Sequence, residues 1–279
     1  MHKLILVLIG TCCLAARGYG DEFLHNGVTA HRGNSGEFPE NTLPAFESGI
    51  KVGADWLELD IFKTADGKLV VVHDRTTKRV GDIDLDVTQS SYEELLAVDV
   101  ATGFRRDHNL SVKECPKHTM PLLEDVLQKV MTQNRTRVSI QPKMDCVGEA
   151  VALIKRLKCE SWVGFNDGNL TLMAKVKKLA PELPVFWDRG ESDIDEDIAM
   201  AKQNEFEALV LNHAVITQRK VENIHRAGLE VGAWTVNSDS EMKRLLELGV
   251  NRIYTDYPKR LLRILRQNGQ ASRKDSNHE

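Results

Sequence analysis

The sequence predicts an α/β fold, a (β/α)8 TIM barrel with a small insertion after a hairpin on the second strand. Three observations predict it: short β-branched runs alternate with helix-length amphipathic stretches, eight runs take part in the alternation, and a ninth follows the second with no room for a helix. The eight are "GVTAHR" 27–32, "DWLELDI" 55–61, "RVSIQPK" 137–143, "SWVGFND" 161–167, "PVFWDR" 184–189, "ALVLN" 208–212, "EVGAWTV" 230–236 and "RIYTD" 252–256. Between them lie stretches such as "TLPAFESGIKVG", "PLLEDVLQKVMTQ", "GEAVALIKRLK" and "SDSEMKRLLELG", each with one polar face, and "PKRLLRILRQ" closes the series.

The ninth run, "KLVVVHD" 68–74, is separated from the second strand by "FKTADG" alone, and Asp66-Gly67 is a hairpin signal. It reads as an antiparallel return that brings His73 back to the barrel mouth beside Glu58 and Asp60. Residues 75–119 are too long for a simple connection and are expected to form a small insertion over that mouth.

At the N-terminus, Lys3 precedes the apolar run "LILVLIGTCCLAA", too short to span a bilayer and expected to be the core of a signal peptide over residues 1–20. The barrel is then expected over 21–268, with a solvated, disordered tail at 269–279, in a secreted or periplasmic protein. Without Lys3 and Arg17 the formal charge of -4 becomes -6, which disfavours nucleic acid as a partner. No stable membrane span is expected, and the oligomeric state is left open. Of five cysteines, Cys12 and Cys13 leave with the leader. Cys115, Cys146 and Cys159 are an odd set that allows one disulfide at most and lacks metal-ligand spacing. "NLS" at Asn109, "NRT" at Asn134 and "NLT" at Asn169 are N-glycosylation triplets in a eukaryotic host.

In such a barrel the site gathers at the C-terminal strand ends, where this chain keeps His31, Arg32, Glu58, Asp60, Gln141, Lys143 and Trp234. Glu58 and Asp60, two residues apart, leave one face of their strand together. Two crowded carboxylates repel unless a proton or cation sits between them, and oxygen ligands suit Mg²⁺ or Ca²⁺. Spacing alone leaves open a solvated strand end for the acids, a satisfied strand-end histidine for His31 and a surface ion pair for Arg32. What favours a site is convergence, because the groups come from three adjacent segments to one rim.

The ordered series "AHRG", "FPENTLPAF", "GADWLELDIFKTADGKLVVVHD", "MPLLEDVL", "VGAWTVN" and "GVNRIYTDYP" resembles the motifs of the glycerophosphodiester phosphodiesterase family from His31 to Pro258. The resemblance implies a metal-dependent barrel that hydrolyses glycerophosphodiesters to glycerol 3-phosphate and an alcohol, with two histidines as general acid and base. By position these are His31 and His73, with His31 as base and His73 as acid the expected assignment. Glu58 and Asp60 would hold the ion, and Arg32 and Lys143 would supply positive charge to the phosphoryl oxygens. Glu40 and Asn41 match a site-shaping pair, although Asn41 or Thr42 also suits a helix N-cap. Trp234 matches a rim aromatic for glycerol or the headgroup, with barrel-core filling as the alternative. Asp256 is expected to organise the last turn.

One departure stands out: where the family places a glutamate before a lysine, this chain reads "SIQPK", with Gln141 at the third ligand position. Gln141 can offer an amide oxygen, or Asp145 must help. Two alternatives follow, a phospholipase D-like lyase that cyclises its substrate, and a catalytically weakened barrel that binds glycerophosphodiesters.

Overall fold

The computed structural model describes residues 27–275, so the expected signal peptide and residues 276–279 lie outside the described residues. In chain order the elements are β1 (Val28–Ala30), α1 (Leu43–Val52), β2 (Trp56–Lys63), β3 (Leu69–Val71), α2 (Tyr92–Leu95), α3 (Thr102–His108) and α4 (Leu123–Val130). Then follow β4 (Arg137–Pro142), α5 (Val147–Leu157), β5 (Val163–Asp167), α6 (Leu170–Leu179), β6 (Val185–Arg189), α7 (Ile194–Gln203), β7 (Ala208–Asn212), α8 (Gln218–Arg226), β8 (Glu230–Trp234), α9 (Asp239–Glu247), β9 (Arg252–Thr255) and α10 (Pro258–Asp275).

Strand β1 pairs in parallel with both β2 and β9, which closes a ring of eight parallel strands and makes the chain a TIM barrel. The ninth strand, β3, returns antiparallel on the outer end of β2, with Ile61 opposite Val71 and Lys63 opposite Leu69, as the Asp66-Gly67 turn predicts. Local chemistry sets the boundaries. Thr42 caps α1 by accepting from the Ala45 N–H, and Gly53, at φ 88°, ends it in the left-handed conformation that glycine adopts without a Cβ clash. Asn41 is therefore not the cap.

Strand alternation decides which side chains face the lumen. Trp56, Phe186, Ala208, Val210 and Tyr254 pack together there and plug the barrel beneath its mouth. Trp56 meets Phe186 edge-on at 5.1 Å, and the buried Arg252 guanidinium lies 3.7 Å over Phe186. Desolvated cation–π contacts of this kind contribute about 2 kcal/mol each. The lumen is thus closed from below, and chemistry is confined to the upper rim.

Two expectations change. The insertion builds its own small core from Val80, Val87, Leu95, Val98 and Met120 against Phe62, Val70 and Val72. It therefore sits beside the hairpin and reaches the mouth's rim through Arg79 instead of roofing it. Helix α10 runs to Asp275, so most of the expected tail is helical, because "RLLRIL" keeps an apolar stripe against the barrel. Cys115, Cys146 and Cys159 are all buried free thiols, within the expected limit of one disulfide at most. No helix among the described residues is long and apolar enough to cross a membrane.

Candidate active site

A cavity of about 550 Å³ opens at the C-terminal ends of the strands, within the size range of small-molecule sites. His31, Arg32, Glu58, His73, Gln141 and Trp234 line it, so the structure brings together most of the residues singled out in the sequence. Lys143 joins them through its ammonium, which reaches Asp60 at 3.2 Å and Gln141 Oε1 at 2.7 Å.

The two histidines are held alike. His31 Nδ1 lies 2.7 Å from Asp256 Oδ1, and His73 Nδ1 lies 2.6 Å from Asp74 Oδ1. A carboxylate on Nδ1 places the ring proton there and leaves Nε2 for the cavity. Asp256 is itself fixed, accepting from Ser35 Oγ at 3.0 Å and from Asn237 Nδ2 at 2.6 Å. Burial would lower the proton affinity of His31, yet the Asp256 hydrogen bond and the Glu58 charge outweigh it and raise its pKa above the ordinary value. At His73 burial prevails, helped by Arg32 and Lys143 against Asp60, and its pKa falls.

The carboxylates divide in the same way. Burial and the neighbouring Asp60 charge push Glu58 up to about 7. Burial would raise Asp60 as well, but Lys143 and Arg32 hold it below the usual carboxylate range. Asp60 also accepts from Asn41 Nδ2 at 2.9 Å, and the Arg32 Nε lies 3.4 Å away. Asn41 adopts φ 56° and Arg32 φ 53°, left-handed values that are uncommon outside glycine and cluster at functional sites. At Arg32 this turn aims the backbone N–H at Glu58 Oε2, 3.0 Å away. Glu40 accepts from Arg32 Nη1 at 3.1 Å and from both terminal nitrogens of Arg79 at 2.7 Å. Trp234 is half-buried, and its indole N–H donates to the Val210 carbonyl at 3.2 Å, which fixes the ring at the rim.

The third ligand position differs from expectation. Gln141 accepts from Lys143 through Oε1 and donates through Nε2 to Asp188 Oδ2 at 3.1 Å. Asp145 points away from the mouth and pairs with Lys175 at 2.6 Å. Asp145 does not line the cavity. Asp188 on β6 is the residue that sequence reasoning missed. Its Oδ2 also accepts from Asn166 Nδ2 at 3.0 Å, its Oδ1 is buried without a hydrogen-bond partner, and burial pushes its pKa up to about 8. A signal was present, since Phe186 and Asp188 share the inward face of "PVFWDR" as Glu58 and Asp60 share that of "ELD".

The sequence profile of the glycerophosphoryl diester phosphodiesterase family matches residues 31–260. This chain belongs to that family. It is 32% identical over 248 residues to a glycerophosphodiester phosphodiesterase of Bacillus altitudinis, an alignment covering 85% of this chain and 97% of that one. In structure it is similar to a Silicibacter pomeroyi protein assigned to the glycerophosphoryl diester phosphodiesterases, with TM-score 0.80, 25% identity and coverage of 89% and 97% of the two chains. It also shares the fold of an Oleispira antarctica phosphodiesterase solved in complex with the product sn-glycerol-3-phosphate, with TM-score 0.74, 24% identity and coverage of 86% and 96%. As a member of this family the chain is an enzyme of the phosphodiesterase class.

Proposed function

We propose that this protein is a divalent-metal-dependent hydrolase that splits glycerophosphodiesters into glycerol 3-phosphate and an alcohol, with His31 and His73 moving the protons. The observation that carries the reading is the pair of imidazoles, each held on Nδ1 by its own carboxylate, facing one cavity that also contains Arg32 and Glu58. Displacement at phosphorus requires a proton for the leaving alkoxide and removal of one from the nucleophile. A histidine biased toward its protonated form and one biased toward neutral meet both needs near neutral pH. The electrostatics favour His31 as the acid and His73 as the base, the reverse of the assignment expected from the sequence. Arg32 and Lys143 place fixed positive charge by the phosphoryl oxygens, and Trp234 gives the glycerol or headgroup a flat apolar face.

The donors fit a hard cation. They are oxygens, and the buried Asp188 Oδ1 has no hydrogen-bond partner. Among the described residues no three His, Cys, Asp or Glu side chains form a ready cage, so an ion here keeps water or substrate oxygens around it. Glu58 would hold the ion, while Asp60 anchors Lys143 and Arg32 beside it. When bound, a divalent ion adds charge stabilisation of the phosphoryl oxygens. Export through the N-terminal apolar run belongs to the same reading, and N-terminal sequencing of protein recovered outside the cytoplasm tests it.

The decisive test strips the protein with EDTA, restores Mg²⁺ or Ca²⁺, and follows glycerophosphocholine by phosphorus NMR. Metal-dependent release of glycerol 3-phosphate and choline is expected. A cyclic phosphate as the end product would establish the lyase alternative, and binding without turnover would establish the weakened barrel.

A further inference from the structure

The carboxylate absent at position 141 has a counterpart across the barrel mouth. We infer that Asp188 and Glu58 are the two acidic ligands of a divalent cation, Mg²⁺ or Ca²⁺, and that Gln141 positions Asp188 without touching the ion. The inference rests on the metal-dependent reading above.

Asp60, Glu58 and Asp188 are the lumen-facing acids of the mouth, and they differ in what faces them. Asp60 has Lys143 at 3.2 Å, Arg32 Nε at 3.4 Å and the Asn41 amide at 2.9 Å, so two cations already balance its charge, although its Oδ1, like that of Asp188, has no hydrogen bond. Glu58 and Asp188 have no ion pair with a lysine or arginine side chain among the described residues. Glu58 is 2% exposed and receives the Arg32 backbone N–H on Oε2 alone, which leaves Oε1 for the cavity. Asp188 receives two neutral amide donors, Gln141 and Asn166, both on Oδ2, while Oδ1 is buried with no partner. A buried carboxylate oxygen without a donor is costly unless a cation meets it.

Gln141 is engaged at both ends of its amide. Its oxygen accepts from Lys143 at 2.7 Å, and only its N–H₂ faces Asp188. The amide and the displaced acid also require each other. A glutamate at 141 would put a second carboxylate where an amide nitrogen now lies 3.1 Å from Asp188 Oδ2, and two such acids repel when no cation joins them. The same negative charge therefore serves the mouth from β6 instead of β4. Two carboxylates with water and substrate phosphate completing the shell are sufficient for Mg²⁺.

The test is calorimetric titration of EDTA-stripped protein with Mg²⁺ and with Ca²⁺, without substrate. Asp188→Asn is expected to weaken binding at least tenfold, as is Glu58→Gln. Asp188→Glu should restore part of the loss, and Gln141→Ala should weaken binding no more than about threefold. Near-UV circular dichroism checks each fold, and Asp188→Ser replaces Asp188→Asn if the latter does not fold. Unchanged affinity in folded Asp188→Asn, or a larger loss in Gln141→Ala than in Asp188→Asn, overturns the assignment. Wild-type protein that binds no divalent ion overturns both this inference and the metal-dependent reading. Weakened binding in Asp188→Asn together with no cleavage of any glycerophosphodiester by the loaded wild type supports the assignment and overturns the hydrolase reading alone.

Discussion

Asp256→Asn keeps the size of the side chain behind His31 and removes its charge. Asn237 Nδ2 donates to Asp256 Oδ2 at 2.6 Å, so an asparagine there must keep its oxygen on that side and turn its N–H₂ toward His31 Nδ1. A 2.7 Å acceptor thereby becomes a donor facing a ring nitrogen that has to carry a proton. A hydrogen bond to a charged group contributes roughly 1.5–3 kcal/mol, which at about 1.4 kcal/mol per pKa unit lowers the His31 pKa by roughly 1–2 units. The imidazolium needed to protonate the leaving group becomes scarce. Turnover should fall by roughly 10–10²-fold, the loss of protonated fraction that such a shift allows. The assay is kcat for glycerophosphocholine against pH at saturating divalent ion, with circular dichroism as the fold control. The alkaline limb of the profile should move to lower pH while KM changes little, since Asp256 acts through His31 as a positioning residue. A kcat within threefold of wild type with an unmoved alkaline limb would refute both the acid role of His31 and the claim that Asp256 tunes it.

Three further outcomes follow from the same geometry. Gln141→Glu adds a carboxylate between Lys143 and Asp188, so the metal concentration giving half-maximal activity should fall, with equal or slower turnover at saturation; a metal titration in which that concentration stays or rises contradicts it. Metal-free stability should decline as pH rises from about 4 to about 8, because Glu58 (about 7) and Asp188 (about 8) hold protons in the fold that they lose in the unfolded chain. That contribution is complete below the unfolded values and lost as pH passes the folded ones, so the gap in Tm between metal-loaded and EDTA-treated protein should widen from pH 6 to pH 8.5. Arg79→Ala removes a bidentate partner of Glu40, which should raise KM severalfold with kcat nearly unchanged; an unaltered KM in steady-state kinetics would show that Glu40 orders Arg32 unaided.

The barrel was legible because its strands are short β-branched runs with helix-period stretches between them, and the Asp66-Gly67 turn marked the one antiparallel strand. His31, Glu58 and His73 were legible for a related reason, since strand-end position and alternate spacing fix where a side chain points before any contact is known. Asp188 was overlooked although the same alternation placed it inward, because an acid closing an aromatic strand also reads as a solvated end. Only the Gln141 and Asn166 amides converging on it, from β4 and β5, separate the two readings. Asp256 was read as a turn organiser, and it does accept from Asn237 and Ser35. Its second role needs the ring closure that brings β9 beside β1, a contact across 225 residues that local sequence does not encode. Asp145 lies outside the cavity and pairs with Lys175, a placement that its nearness to Lys143 in sequence does not show.

Glu40 binds two guanidiniums of different origin, Arg32 from the barrel and Arg79 from the insertion. The insertion has its own core, so its surface is free to change without unsettling the barrel. Any change that shifts Arg79 nevertheless reaches the cavity-lining Arg32 through one shared carboxylate. On the proposed function, the insertion is thus a region where sequence drift would adjust how firmly a phosphate is gripped while His31, His73 and their supporting carboxylates stay fixed, a separation of selectivity from chemistry within a single chain.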